Sequence, residues 1–208
     1  MLEKETKIFM HENDLPSNLR LGNVLAVDTE TMGLNPHRDR LCLIQLNDGG
    51  ENTHLVKVSK NLKPAPNICK LLSDHKKQKL FHFARFDVAI LSKSFGITIN
   101  NIYCTKIASK LARTYTDRHS LKSLCEELLS IQLSKEEQSS DWGSSTLSKK
   151  QMKYAANDVL YLHTIKEKLD LILQREDRME LAKSCFDFIN TQVCLDLNGW
   201  NNQNIFDH

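Results

Sequence analysis

The chain has 208 residues, 40% of them apolar and 26% charged, with a formal net charge of +2. That length supports a packed core without disulfides or structural metals, and the composition excludes a disordered or fibrous chain. A nearly balanced charge excludes a strong global field for long polyanions, so any nucleic-acid contact has to be local or the substrate short.

Residues 1–20 are polar and mixed, with Pro16 and Ser17 marking a loop, and the charged N-terminus lacks the apolar stretch of a signal peptide. Val24-Leu25-Ala26-Val27 reads as a short buried strand that runs into Asp28-Thr29-Glu30-Thr31 before Gly33, Asn35 and Pro36 break the chain. Further strands are expected over 41–46, 55–58, 80–83 and 102–104. Helices are expected over 68–73 and over 87–95, the latter ending at Gly96. After residue 105 the periodicity turns helical, with stretches over 106–113, 121–129, 149–175 and about 178–195. Ser148 followed by Gln151 matches a capping box and marks a helix start.

Strands first, then alternation, then helices argues for an α/β fold, a sheet with helices packed on it. One domain is expected over 1–208, with its core at about 20–175 and a helical C-terminal extension at about 176–208. The six cysteines include no C-x-x-C pair and several sit in apolar runs, so they are expected as reduced thiols. No run of about 18 apolar residues occurs, and a cytoplasmic protein without membrane contact is expected.

Three motifs carry chemistry. Asp28 and Glu30 are two apart on a strand and therefore leave the same face. Two adjacent carboxylates repel unless a cation sits between them, and hard divalent cations take carboxylate oxygens. A solvated strand end is the alternative for this pair alone. Asp87 opens a helix after a strand, where an acid is also favoured simply by the helix dipole. Tyr154 and Asp158 are four apart and share one helix face, with Ala155 and Ala156 allowing close approach to the sheet.

Taken together, this order of D-x-E, Asp and Y-x-x-x-D resembles the DEDD exonucleases of the tyrosine subclass, and more specifically ribonuclease D-type catalytic domains. The supporting stretches are LAVDTETMGL (25–34), KLFHFARFDVAIL (79–91), HSLKSLCEEL (119–128), KEEQSSDW (135–142) and LSKKQMKYAANDVLYL (147–162). The resemblance covers about 20–170. It implies a ribonuclease H-like fold, a mixed central sheet flanked by helices.

The resemblance also implies 3′→5′ exonuclease chemistry with two divalent ions, Mg²⁺ or Mn²⁺. Asp28 would bridge the ions, Glu30 and Asp158 would hold the first and Asp87 the second. Tyr154 would orient or activate the attacking water, and the products would be 5′-mononucleotides. About 35 residues follow the Tyr-Asp helix, too few for the helical HRDC-type module of full-length ribonuclease D. Cys104-Thr105 stands where the family has Asp-Thr, and Ser144-Ser145-Thr146 where a basic or proline residue is usual. The compact form is similar to the nanoRNase C enzymes of alphaproteobacteria. That likeness implies short RNA substrates, dinucleotides such as pGpG, and a homo-oligomer, an octamer in that group. A broader exonuclease on longer RNA or single-stranded DNA is the alternative, and an inactive nucleic-acid-binding domain the third.

Substrate contacts are expected from Thr31, Met32, Gly33 and Leu34, which follow the catalytic pair, and from His82, Arg113 and His119. Leu34 either wedges between the terminal bases or packs in the core. His82, Phe83 and Phe86 either meet the nucleotide or pack inside. Lys106, Lys110 and Arg113 make one basic helix face, followed by Arg118, His119 and Lys122, which either grips a 5′ phosphate or is solvated. The amphipathic 180–197 stretch, with Trp200 and Phe206 beyond it, either forms an interface or docks on the catalytic core.

Overall fold

The computed structural model describes residues 6–133, 137 and 139–207. Positions 135, 136 and 138 of the 135–142 stretch lie outside the described residues. Six strands form one mixed sheet: β1 (Lys7–Glu12), β2 (Val24–Thr31), β3 (Leu41–Asn47), β4 (Asn52–Lys57), β5 (Gln78–Phe81) and β6 (Ile102–Cys104). Their order is β1-β4-β3-β2-β5-β6. The β2–β3 and β3–β4 pairs are antiparallel, whereas β1–β4, β2–β5 and β5–β6 are parallel.

The meander β2-β3-β4 follows from its short polar connections, and Asn47-Asp48-Gly49-Gly50 turns the second of them. Gly49 has φ 90°, a conformation that suits glycine, and its amide is capped by the Asn47 side chain at 2.7 Å. Every residue of β3 is buried, because helices cover both faces of the sheet's centre. Ile44 and Leu46 join the main core, while Leu43 joins a smaller cluster with Leu55, Trp142 and Ala155.

The helices are α1 (Pro66–Ser73), α2 (Ala84–Phe95), α3 (Thr105–Ala112), α4 (Leu121–Leu129), α5 (Lys149–Leu160), α6 (Leu162–Arg175), α7 (Met179–Asp187) and α8 (Ile189–Leu195). A π-helical turn over Asp196–Trp200 follows, with Gly199 at φ 103°. The capping box on α5 is complete, with Ser148 and Gln151 bonding each other's backbone amides. The single helix expected over 149–175 is two, because the chain bends at Tyr161 (φ −105°, ψ −5°). Leu160, Tyr161 and Leu162 are all buried, so the apolar periodicity runs through the bend and hides it.

Strand β1 is an element that the sequence reading of 1–20 does not include, whereas Pro16 and Ser17 do lie between elements. It is an edge strand whose side chains are largely exposed, so it lacks the apolar alternation that marks a half-buried strand. The C-terminal stretch docks on the core: Arg85 of α2 makes a two-pronged ion pair with the buried Asp196 at 2.5 and 2.6 Å. All six cysteines are free. Among the described residues no helix is long and apolar enough to cross a membrane.

Candidate active site

Strand β2 delivers Asp28 and Glu30 to one face, as their spacing requires. Helix α5 crosses that face, and Ala155 and Ala156, both fully buried, let it approach closely enough to bring in Asp158. Carboxylate oxygens of Asp28, Glu30 and Asp158 lie within 4.8 Å of one another. Asp87 arrives from α2, the helix launched directly from β5 by Phe83, which adopts a left-handed φ of 68°. That conformation costs energy for a bulky side chain and turns the chain sharply beneath the carboxylates.

Alternation turns Thr29 to the side of β2 away from Asp28 and Glu30. There the Thr29 hydroxyl donates to Oδ1 of Asp87 at 2.6 Å, with both residues buried. The four acids therefore converge from three elements at the end of one strand.

Their electrostatics are unfavourable without a counter-charge. Burial pushes Asp28 up to about 7. Burial and repulsion from Asp28, Asp158 and Asp87 push Glu30 up to about 10. Asp87 and Asp158 are also raised well above the usual carboxylate range, by burial and then by Asp28. Asp28, Glu30 and Asp158 still keep part of their surface open to the cleft above them. Among the described residues no lysine or arginine pairs with any of the four. A cluster of hard oxygen donors that are mutually repelled, deeply set and open on one side fits a divalent cation.

The phenol of Tyr154 faces Asp158, and burial followed by the neighbouring carboxylates raises its pKa, so it stays protonated. Trp142 packs against it with ring centroids 6.1 Å apart, which fixes the side of α5 that Tyr154 presents. A cleft of about 610 Å³ opens over this group, lined by Asp28, Glu30, His82, Tyr154 and Asp158 among others. That volume is in the range of small-ligand sites.

A family model described as 3′-5′ exonuclease matches residues 9–174. The chain belongs to the 3′-5′ exonuclease family. Brucella melitensis NrnC bound to pGG is 49% identical to this exonuclease, with a TM-score of 0.93 over 98% of this chain and 100% of that one. The same Brucella protein is also known with bound Mg²⁺. Escherichia coli RNase D is 25% identical, with a TM-score of 0.74 over 82% of this chain and 45% of that one. Ribonuclease D of Gluconacetobacter diazotrophicus is 31% identical over 166 residues, 80% of this chain and 42% of that protein. The exonuclease spans less than half the length of the curated relatives it matches. Its mixed sheet with flanking helices is the ribonuclease H-like fold of these relatives.

The expected substrate residues divide into two groups. Thr31, Met32, Gly33, Leu34 and His82 all line the cleft. Leu34 is 83% exposed, so it is no core leucine but an apolar projection at the rim. A Cβ at Gly33 would lie 2.3 Å from Asp39 Oδ2, so a larger residue there would have to displace that carboxylate. Phe83 and Phe86 also line the cleft, and Lys106 sits over the Phe83 ring at 4.2 Å.

Arg113 and His119 do not line it. Its side chain is 0% exposed and is consumed by Glu127, the Arg118 carbonyl and the Ser109 hydroxyl. The helical spacing placed Arg113 in register with Lys106 and Lys110, but α3 ends at Ala112 and the arginine folds back beneath the following loop. His119 turns its Nδ1 to Ser109 of α3 at 2.9 Å. Lys106 and Lys122 are the cations of that cluster that reach the cleft. The sequence assigns no role to Thr29 or Thr105, because a threonine's partner is set by long-range packing.

Proposed function

We propose that this chain is a metal-dependent 3′→5′ exoribonuclease that hydrolyses short oligoribonucleotides, dinucleotides such as pGpG among them, to 5′-mononucleotides. The observation that carries the reading is the convergence of Asp28, Glu30 and Asp158 within 4.8 Å beside Asp87 and Tyr154. The substrate length is supported by the near-complete mutual coverage with Brucella NrnC, which is seen bound to pGG, and by a cleft of small-ligand size.

Asp28, Glu30 and Asp158 would hold one divalent ion, Mg²⁺ or Mn²⁺, and Asp28 with Asp87 a second. Bound there, such ions offset charge on both the entering and the departing oxygen of an in-line displacement. Thr29 holds the Asp87 carboxylate in one orientation. Tyr154, beside Asp158, would orient or activate the attacking water. Leu34 and Met32, both exposed, meet the bases from the rim, while Phe83 and Phe86 offer stacking surfaces. Lys106 and Lys122 supply positive charge for a substrate phosphate. The whole chain works as one exonuclease unit in the cytoplasm, as a homo-oligomer.

The likeness to ribonuclease D favours a second reading, a broader exonuclease on longer RNA or single-stranded DNA. An inactive binding domain is disfavoured by the intact set of five site residues. Labelled 2-mers and 20-mers incubated with Mn²⁺ separate the readings. The 2-mer is expected to disappear first; a shortened 20-mer beside persistent dinucleotides would favour the broader enzyme.

A further inference from the structure

His82 follows β5 and precedes the left-handed turn at Phe83, and its ring lines the same cleft as Asp28, Glu30 and Tyr154. Its Nδ1 lies 2.9 Å from the hydroxyl of Thr105, the first residue of α3. That hydroxyl also lies 3.1 Å from the carbonyl oxygen of Phe81, and Thr105 is fully buried. A threonine hydroxyl has one proton, and a carbonyl can only accept. The proton must go to Phe81, because the opposite arrangement presses two oxygen lone pairs together in a buried place. Towards His82 the hydroxyl can then only accept, so Nδ1 carries the hydrogen.

Burial, and then the charge of Lys106, lower the His82 pKa to about 3, so the ring is neutral. A neutral imidazole has a single N–H. With it committed to Thr105, Nε2 presents a bare lone pair, and among the described residues no hydrogen bond is made by that nitrogen. A lone pair repels phosphate oxygens and wants a donor. The scissile phosphate belongs over the carboxylates, and the hydroxyl donors that follow it on the departing nucleotide are those of its ribose, several bonds further along.

We infer that His82 is a specificity-determining residue whose Nε2 accepts a hydrogen bond from a hydroxyl of the terminal ribose, and that Thr105 is the positioning residue that fixes the required tautomer. The inference rests on the exonuclease reading above and names the group by which that site recognises the sugar.

Two sources of the hydroxyl exist, and dinucleotides ending in a ribose, a 2′-deoxyribose or a 3′-deoxyribose tell them apart. Wild-type protein is expected to cleave one deoxy form about tenfold more slowly, the worth of one hydrogen bond. His82→Phe and Thr105→Val are expected to lose about the same factor on the ribose substrate and nothing further on that deoxy form. Thr105→Ser, which keeps the oxygen, is expected to behave as wild type. Binding of ribose and deoxyribose nucleoside 5′-monophosphates to wild-type protein and to His82→Phe reads the same contact without turnover. A chain that cleaves nothing yet loses this preference in His82→Phe overturns the exonuclease reading and keeps the contact. Equal losses for His82→Phe on all three substrates, with no discrimination among the monophosphates, overturn the contact. Side-chain ¹⁵N spectra should show His82 as the neutral Nδ1–H form from about pH 5 to about pH 8, the interval in which an ordinary histidine titrates. An Nε2–H tautomer there contradicts the role of Thr105.

Discussion

The Thr29 hydroxyl donates to Oδ1 of Asp87 at 2.6 Å, tying strand β2 to helix α2 across 58 positions of sequence. Thr29 sits between the two acids of the D-x-E pair, so a single strand supplies two carboxylates on one face and the anchor for a third on the other. Removing the hydroxyl frees Asp87 to rotate without altering the shape of the core. Thr29→Val is therefore expected to fold normally and to lose about 10–100-fold in kcat, the worth of a hydrogen bond to a charged group. Thr29→Ser should retain most activity. Steady-state kinetics on a dinucleotide check both.

Glu30 carries the repulsion of three neighbouring acids. Glu30→Gln is expected to abolish cleavage while stabilising the metal-free protein. Relief of about 1–2 kcal/mol corresponds to a rise of about 2–8 °C in a chain of this size. Thermal unfolding in a chelator measures the rise, and the gain on adding Mn²⁺ should shrink relative to wild type.

The raised carboxylates set a pH dependence. In the unfolded chain they ionise near about pH 4, whereas in the folded metal-free protein Asp28 ionises at about 7 and Glu30 at about 10. Between those limits the folded state holds more protons than the unfolded one. Stability is full below about pH 4 and declines as pH rises through about 7 and above. Divalent cations displace those protons, so their affinity should climb over the same interval. Unfolding midpoints taken with chelator and with Mg²⁺ should diverge as pH rises; parallel curves would contradict the clustering.

Tyr154 is held protonated by burial and by the acids beside it. Tyr154→Phe is expected to lower kcat by about 10²–10³-fold, the loss on removing one well-placed donor. Mn²⁺ binding should be unchanged, because the phenol is not among the carboxylates that hold the ion. Loss of metal affinity in this variant would place the phenol in a different role.

Arg113 is buried against Glu127, Ser109 and the Arg118 carbonyl. Arg113→Met breaks its pair with Glu127 and leaves the Arg118 carbonyl short of a donor. Because Glu127 is partly exposed and can rehydrate, the expected cost is about 2 kcal/mol, below that of a fully buried pair. KM for a 5′-phosphorylated dinucleotide should stay unchanged. A raised KM at unchanged stability would restore the phosphate contact that helical spacing suggested.

Strong local patterns made most of this fold legible. Asp28 and Glu30 follow from strand alternation, Tyr154 and Asp158 from the helical turn, and α5 from its capping box. The D-x-E pair alone was ambiguous; its meaning came from Asp87 and Asp158, which only a family pattern links along the sequence. Strand β1 was hidden because an edge strand needs no buried alternation, and the bend at Tyr161 because burial continues through it. Arg113 lies away from the cleft because a side chain's direction at a helix end depends on the loop that follows. Leu34 and Phe83 were undecided because an apolar residue reads alike whether it faces a core or a cleft.

Asp28, Glu30, Asp87 and Asp158 together are expected to hold divalent cations beneath the cleft. Crystals soaked in Mn²⁺ and measured at an anomalous wavelength test it most directly. The expected result is manganese density within bonding distance of Asp28, Glu30 and Asp158, with further density between Asp28 and Asp87 when a nucleotide is present. Density absent from these oxygens, or manganese seated only elsewhere, contradicts the account.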